Sequence, residues 1–246
     1  MSAYSSAVLA LNPNSYWRFS GASGLTDSGS GGITLTSIGA PIRASSIVPS
    51  ENAVQDAAFK LDVPQYFTAG DNYEFTGEVN WTMAWWMKIQ STTFGTGFQR
   101  VLEKRDTGGT NQGWLIYGGG TAQNLQFDLD FGATVEGFGA DAGLQVDRAH
   151  FVAYTWVDST TTLTLYTDGA EIGTKTSWTT APGFPASGTT PFTIGASGAG
   201  GAGFIGMIDD IAVWSGTALT GTQINNLWRT GNLLFRPAMS SRGTSW

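Results

Sequence analysis

The sequence predicts an all-β fold, a two-sheet antiparallel jelly-roll sandwich with one short C-terminal helix. Three observations carry this. Short runs with apolar residues at every second position recur along most of the chain, the period of a strand with one face against a core. Glycine supplies 34 of the 246 residues, close to twice the usual ~7 %, and it falls mainly between those runs. Only one segment, near the C-terminus, carries helical spacing with matching end signals.

The strand runs are taken in order. In "SYWRFS", Trp17 and Phe19 share one face, and Tyr16 and Arg18 the other. "AAFKLDV" and "QYFTAG" follow. "VNWTMAWWMKIQ", residues 79–90, then sets Trp81, Met83, Trp85, Met87 and Ile89 on one face. Trp86 breaks its pattern, standing among Thr82, Ala84 and Lys88. "RVLEKRD", "WLIYGGG" and "LQFDLDFG" are the next strands, and then "AHFVAYTWV" and "TLTLYT". Asp168-Gly169 turns that run into "AEIGTKTS", because a tight hairpin needs positive φ. "PFTIGA" and "GFIGMIDDIAVW" close the series.

The helix is predicted over 221–230. Thr220 and Gln223 make a capping box, and Leu219 and Ile224 a hydrophobic staple. Ile224, Leu227 and Trp228 form its apolar face, and Gly231 fits the left-handed position that ends a helix. One domain is expected over 1–231. The segment 232–246, "NLLFRPAMSSRGTSW", has no periodicity and is expected to be a tail, with Phe235 and Trp246 as anchors on another subunit.

Composition narrows the function classes. There is no cysteine, hence no disulfide, thiolate metal site or cysteine nucleophile. Charged residues are 13 % of the chain and net charge is −7, with the few basic residues scattered. No basic stripe marks a nucleic-acid surface, and no apolar run approaches the ~20 residues that span a bilayer. The N-terminus lacks the basic and apolar regions of a signal peptide.

"GFIGMIDDIAVWSGTALTGTQINNLW" resembles the closing signature of the laminin-G-like, concanavalin A-like jelly-roll family. Phe204, Gly206, Ile208, Asp209, Asp210, Ile211, Val213, Trp214, Leu219, Gln223, Ile224 and Leu227 match in order. "NPNSYWRFS", "WTMAWWMK", "HFVAYTWVDSTTTLTLYTDG" and "FTIGA" resemble its earlier elements, so the resemblance runs from about residue 13 to 231. The chain departs from the pattern at Ala149, where a Trp is common, and in a loop at Asp27–Gly31 that is one residue short. In the pattern the Trp aligns with Trp86, so the resemblance implies that Trp86 is covered by a loop or terminal segment and that Trp85 is the bulky core residue. In relatives the Asp27 loop and Asp209 can help bind calcium. Two carboxylates supply only part of its six to eight oxygens. The expectation is therefore no metal and no cofactor, with Asp27 capping a turn and Asp209 bound to backbone amides.

Catalytic candidates are thin. Asp128 and Asp130 share a strand face, but the Glu-x-Asp-x-x-Glu arrangement of sandwich hydrolases is absent, since Glu136 lies beyond a glycine. Two solvated carboxylates and no enzyme are expected. His150, the single histidine, is expected to be structural. "GASGAGGAG", 195–203, has no helix directly after it, so it is read as a hairpin loop rather than a phosphate cradle, and "YGGG" at 117–120 likewise. Strand tryptophans, Trp156 among them, are assigned to packing. Trp114 and Tyr117, after a Gly/Thr/Asn loop, are the carbohydrate-binding candidates because aromatic faces stack on sugars.

The first functional expectation is a non-catalytic structural protein of a bacteriophage virion, as capsid decoration or a fibre component, with glycan adhesion at its surface. The family usually works outside cells, and a virion protein released by lysis needs no secretion signal. Its partners would be other virion proteins, further copies of itself, or a glycan. A lectin-like adhesion module is the alternative, and a glycan-cleaving hydrolase a third reading.

Overall fold

Alternation of apolar side chains builds two antiparallel sheets whose inner faces share one core. The computed structural model describes residues 1–246 except 22–23, 52–55, 78, 107–108, 110, 121–123, 180–183, 199 and 233–246. The described strands are β1 (Ser15–Trp17), β2 (Thr36–Ile38), β3 (Ile42–Ser45), β4 (Ala57–Leu61), β5 (Tyr66–Thr68), β6 (Trp81–Ile89), β7 (Arg100–Arg105), β8 (Gln112–Gly118), β9 (Asn124–Phe131), β10 (Val135–Asp141), β11 (Ala149–Val157), β12 (Thr162–Thr167), β13 (Ala170–Lys175), β14 (Thr193–Ile194) and β15 (Gly206–Ser215). One sheet runs β13-β12-β11-β6-β15-β4-β3, with β1 also on β15; the other runs β10-β9-β8-β7-β14-β5-β2.

The inner faces hold the aromatic residues that the period assigned to them. Trp81, Met83, Trp85, Met87 and Ile89 of β6 meet Ile116, Phe127 and Ile194 from the opposite sheet in one buried cluster. Asp168 and Gly169, at φ 50° and 75°, make the predicted hairpin between β12 and β13. The glycine-rich 195–203 segment is corrected: it links β14 to β15, which lie in different sheets, so it is a crossover and not a hairpin loop. β2 and β3 went unpredicted because edge strands exposed on both faces show no apolar alternation.

Among the described residues there are two α-helices where one was expected. α1 (Ala3–Leu9) is capped by Ser2, whose hydroxyl accepts from Ser5 N at 2.9 Å. Its buried residues are Tyr4, Ser5 and Val8, and two apolar positions are too short a pattern to read as a helix. α2 (Gly221–Gly231) has the predicted capping box, with Thr220 as cap. Both helices lie on the outer face of the eight-stranded sheet. There Tyr4, Val8, Ile224 and Leu227 enclose Trp86, Phe151 and Trp214 in a second apolar cluster. Trp86 is 1 % exposed, so the covering that the resemblance implied is present.

Gly231 is a second correction. It is the last helical residue rather than a left-handed terminator. Glycine is needed because a Cβ there would stand 2.5 Å from Trp86 Cζ2 and 3.0 Å from Tyr4 Cδ2. The expected tail, 232–246 with Phe235 and Trp246, lies outside the described residues except for Asn232. No helix among the described residues is long and apolar enough to cross a membrane.

Candidate functional site

Strand parity separates the two expected sugar-binding residues. Trp114 and Tyr117 are three positions apart on β8, so they point to opposite faces of the sheet. Trp114 faces the core at 0 % exposure, with Nε1 donating to Tyr73 O at 2.8 Å and Phe75 and Phe127 stacked on it. The expectation that Trp114 reaches a rim is therefore corrected. Tyr117 lies on the outer face, 6 % exposed.

Around Tyr117 the register assembles three polar rows across β7, β8, β9 and β10. The first is Arg100, Tyr117, Gln126 and Gly139; the second Glu103, Leu115, Asp128 and Gly137; the third Arg105, Gly113, Asp130 and Val135. The Arg100 guanidinium carbon sits 4.6 Å from the centre of the Tyr117 ring, a cation–π contact. Phe98 stacks against the same ring with centroids 5.9 Å apart, and is itself 55 % exposed. Gly119 and Gly137 bring no side chain over Tyr117 and Asp128, where a Cβ would collide.

Each carboxylate on this face has a fixed partner. Tyr117 donates its hydroxyl to Asp128 Oδ2 at 2.7 Å, and Gln126 Nε2 donates to Oδ1 at 3.2 Å. Arg105 Nη1 pairs with Asp130 Oδ2 at 3.0 Å, and Arg100 Nε lies 3.2 Å from Glu103 Oε2. Gly198 N donates to the other oxygen of Glu103 at 3.2 Å, so the crossover loop folds over this row. Burial pushes the Glu103 and Asp128 carboxyls above the usual range, opposed by Arg100 and by the Tyr117 hydrogen bond respectively. Burial also lowers Arg100, and with the bond to Asp128 it raises Tyr117. Asp128 and Asp130 do share a face as expected, but they are buried and paired rather than solvated.

Phe98, Arg100 and Gln126 were not identified from sequence. Period-two reading places Glu103 and Arg105 together but sets Arg100 on the other face. A bulge in β7 between Arg100 and Leu102 restores it to theirs. Phe98 precedes the strand at φ 50°, outside any periodic pattern.

The remaining candidates have structural partners. Asp27 accepts from Ser15 Oγ, Tyr16 N, Gly29 N and Ile33 N at 2.7–2.9 Å, which occupies its oxygens as a turn cap. Asp209 accepts from Ser46 Oγ and Ile47 N, a set with no donor in common with Asp27. His150 is buried: Nε2 accepts from Gln145 N at 3.0 Å, so Nδ1 carries the proton and donates to Asp168 at 3.0 Å.

A family model described as the concanavalin A-like lectin/glucanases superfamily matches residues 62–225. No curated protein matches the chain. Among solved structures, domain 4 of AbnA, a GH43 extracellular arabinanase from Geobacillus stearothermophilus in complex with arabinotriose, is 15 % identical. The match covers 88 % of this chain and 98 % of that one, with a TM-score of 0.63. The binding domain of Paraclostridial Mosquitocidal Protein 1 is also 15 % identical, covering 83 % of this chain and 49 % of that one at TM-score 0.62. The receptor binding domain of botulinum neurotoxin mosaic serotype C/D is 13 % identical, covering 89 % and 50 % at TM-score 0.63. The chain thus spans about half the length of these two toxin domains, and at such identities the likeness is one of fold.

Proposed function

The chain belongs to the concanavalin A-like lectin/glucanase superfamily, and from that premise we propose that it is a non-catalytic glycan-binding module carried on a bacteriophage virion. The observation that carries the binding part is the stack on the outer face of the seven-stranded sheet. Phe98 offers an exposed ring, backed by Tyr117 and Arg100, with Gln126 and Asp128 beside them. A flat apolar ring next to fixed hydrogen-bonding groups suits a pyranose or furanose, which is apolar on its faces and hydroxylated at its edge. The arabinotriose held by the similar arabinanase domain supports the same class of ligand.

The non-catalytic reading rests on how the carboxylates of this face are engaged. Asp130 is held by Arg105, Asp128 by Tyr117 and Gln126, and Glu103 by Arg100 and Gly198. Glycoside cleavage needs two carboxyl groups at the scissile bond, one as acid and one as base or nucleophile. Support for the virion setting is compositional: 13 % charged residues, no cysteine and a glycine-rich all-β chain suit a protein working outside cells without disulfides.

A glycan array probed with wild type and Phe98→Ala tests the binding reading. Loss of an exposed aromatic anchor is expected to weaken binding roughly tenfold, about 1–2 kcal/mol. Equal binding by both proteins would remove this face from consideration. Mass spectrometry of purified phage particles tests the setting: the chain is expected at many copies per particle, and its absence from virions refutes that part. Truncation at residue 232 is expected to leave a folded domain that no longer incorporates.

A further inference from the structure

A cleft of ≈ 520 Å³ opens at the end of the eight-stranded sheet where β1 and β6 begin and β15 stops. Asn14, Asn72, Tyr73, Glu74, Phe75 and Thr76 line it, and none of its lining residues belongs to the four strands of the polar outer face. Its size is that of small-ligand sites, about 300–1,000 Å³.

The cleft has a rigid aromatic side. Tyr73 and Phe75 both sit in the left-handed region, at φ 63° and 55°, which bulky residues rarely adopt. Such conformations persist where surrounding contacts over-determine them, and they concentrate at binding sites. Those contacts are present: Tyr73 O accepts from Trp114 Nε1, and its hydroxyl bonds Ser15 Oγ, which in turn donates to Asp27. Phe75 is stacked on Trp81 and Trp114 with centroids 5.1 and 5.7 Å away. Phe75, 5 % exposed, is thus a core ring behind the cleft wall, whereas the half-buried Tyr73 ring reaches the cleft and is fixed before any ligand arrives.

The polar side offers both donors and acceptors. Asn14 Oδ1 accepts from Ser215 N at 2.6 Å, which leaves its Nδ2 as a donor. Asn72 Nδ2 donates to Ala69 O at 2.6 Å, which leaves its Oδ1 as an acceptor. Glu74 Oε1 takes Ser187 N and Oγ at 3.0 and 3.1 Å, and Oε2 remains. Thr76 adds an exposed hydroxyl. Among the described residues, the lining contains one carboxylate and no cation. Lys104 is buried behind it, 2.5 Å from Asp71 and 4.0 Å from Glu74 Oε1, so its charge is shared between two carboxylates.

One fixed, half-buried ring with mixed donors and acceptors around it matches a polyol, and the excess of carboxylate over cation disfavours an anion. We propose that this cleft is a second carbohydrate site, specific for neutral saccharides and independent of the sheet face.

The test uses the full chain on an array of neutral, uronic and sialylated oligosaccharides, comparing wild type with Thr76→Trp, Asn72→Ala and Phe98→Ala. Thermal unfolding checks that each variant is folded. The expected result is a set of neutral glycans bound at least tenfold more weakly by Thr76→Trp and Asn72→Ala and unchanged by Phe98→Ala. The proposal is overturned if wild type binds no neutral glycan, if both cleft variants bind as wild type does, or if only acidic glycans respond to them. Loss in Phe98→Ala alone would overturn this site and leave the sheet-face reading standing. Loss in the cleft variants alone would do the reverse.

Discussion

Asp209 and Asp210 stand side by side in a bulge of β15, each with 0 % exposure. The bulge divides one edge of the strand: 206–208 pair with β4 and 211–213 with β1. Asp210 takes φ 48° there, and Tyr16 donates its hydroxyl to Oδ1. Ser46 and Ile47 serve Asp209 Oδ2. Glu51, which accepts from Ser2 and Ser5 of the α1 cap, adds a further like charge acting on Asp210.

Burial first, then the charges of Asp209 and Glu51, hold the Asp210 carboxyl well above the usual range; burial leads for Asp209 too. The folded chain therefore binds protons that the unfolded chain releases. Stability from these groups is full below the ordinary carboxyl range and is lost as pH rises through their raised folded-state values. Asp210→Asn removes one of the charges. It is expected to match wild type near about pH 4 and to be about 1–2 kcal/mol more stable near about pH 8. Thermal midpoints across that range check this; a gap that stays constant with pH refutes it.

Tyr4 closes the space over Trp86 from α1. Its ring makes edge contacts with Trp86 and Phe151, with centroids 6.1 and 6.4 Å apart. Tyr4→Ala should cost about 3–4 kcal/mol, as other large aromatic truncations do. Urea denaturation gives the loss, and a red-shifted tryptophan emission would report water reaching Trp86.

Replacing glycine by alanine near the end of an exposed helix usually stabilises it by up to ~1 kcal/mol. Gly231→Ala is expected to do the opposite, by about 1–3 kcal/mol, because its Cβ meets the Trp86 ring. A gain in the urea midpoint would show that α2 can shift away from the sheet.

Asp168 ties the β12–β13 turn to β11 through Phe151 N at 3.0 Å and His150 Nδ1 at 3.0 Å. Asp168→Ala leaves a buried imidazole N–H and a backbone N–H without their acceptor. The expected loss, read from urea denaturation, is about 2–3 kcal/mol, and Asp168→Asn, which keeps one acceptor, should lose less.

By itself the sequence determined the sandwich, because strand period, turn glycines and a capping box are local signals. It also determined the inward set of β6 and, through the ordered family motifs, the covering of Trp86. What covers Trp86 was decided by tertiary structure: α1 shows only two buried apolar positions, and Gly231 is small for the sake of a ring 145 residues earlier in the chain. The outer-face cluster was half legible. Tyr117, Asp128 and Asp130 lie in periodic strands, whereas Arg100 joins them only through the bulge in β7, which strand period does not show. The end cleft was not legible, since its walls come from loops and strand ends far apart in the chain. Periodicity records which way a side chain points along its own strand. Which distant segment it meets depends on sheet order, bulges and packing, which only the folded chain fixes.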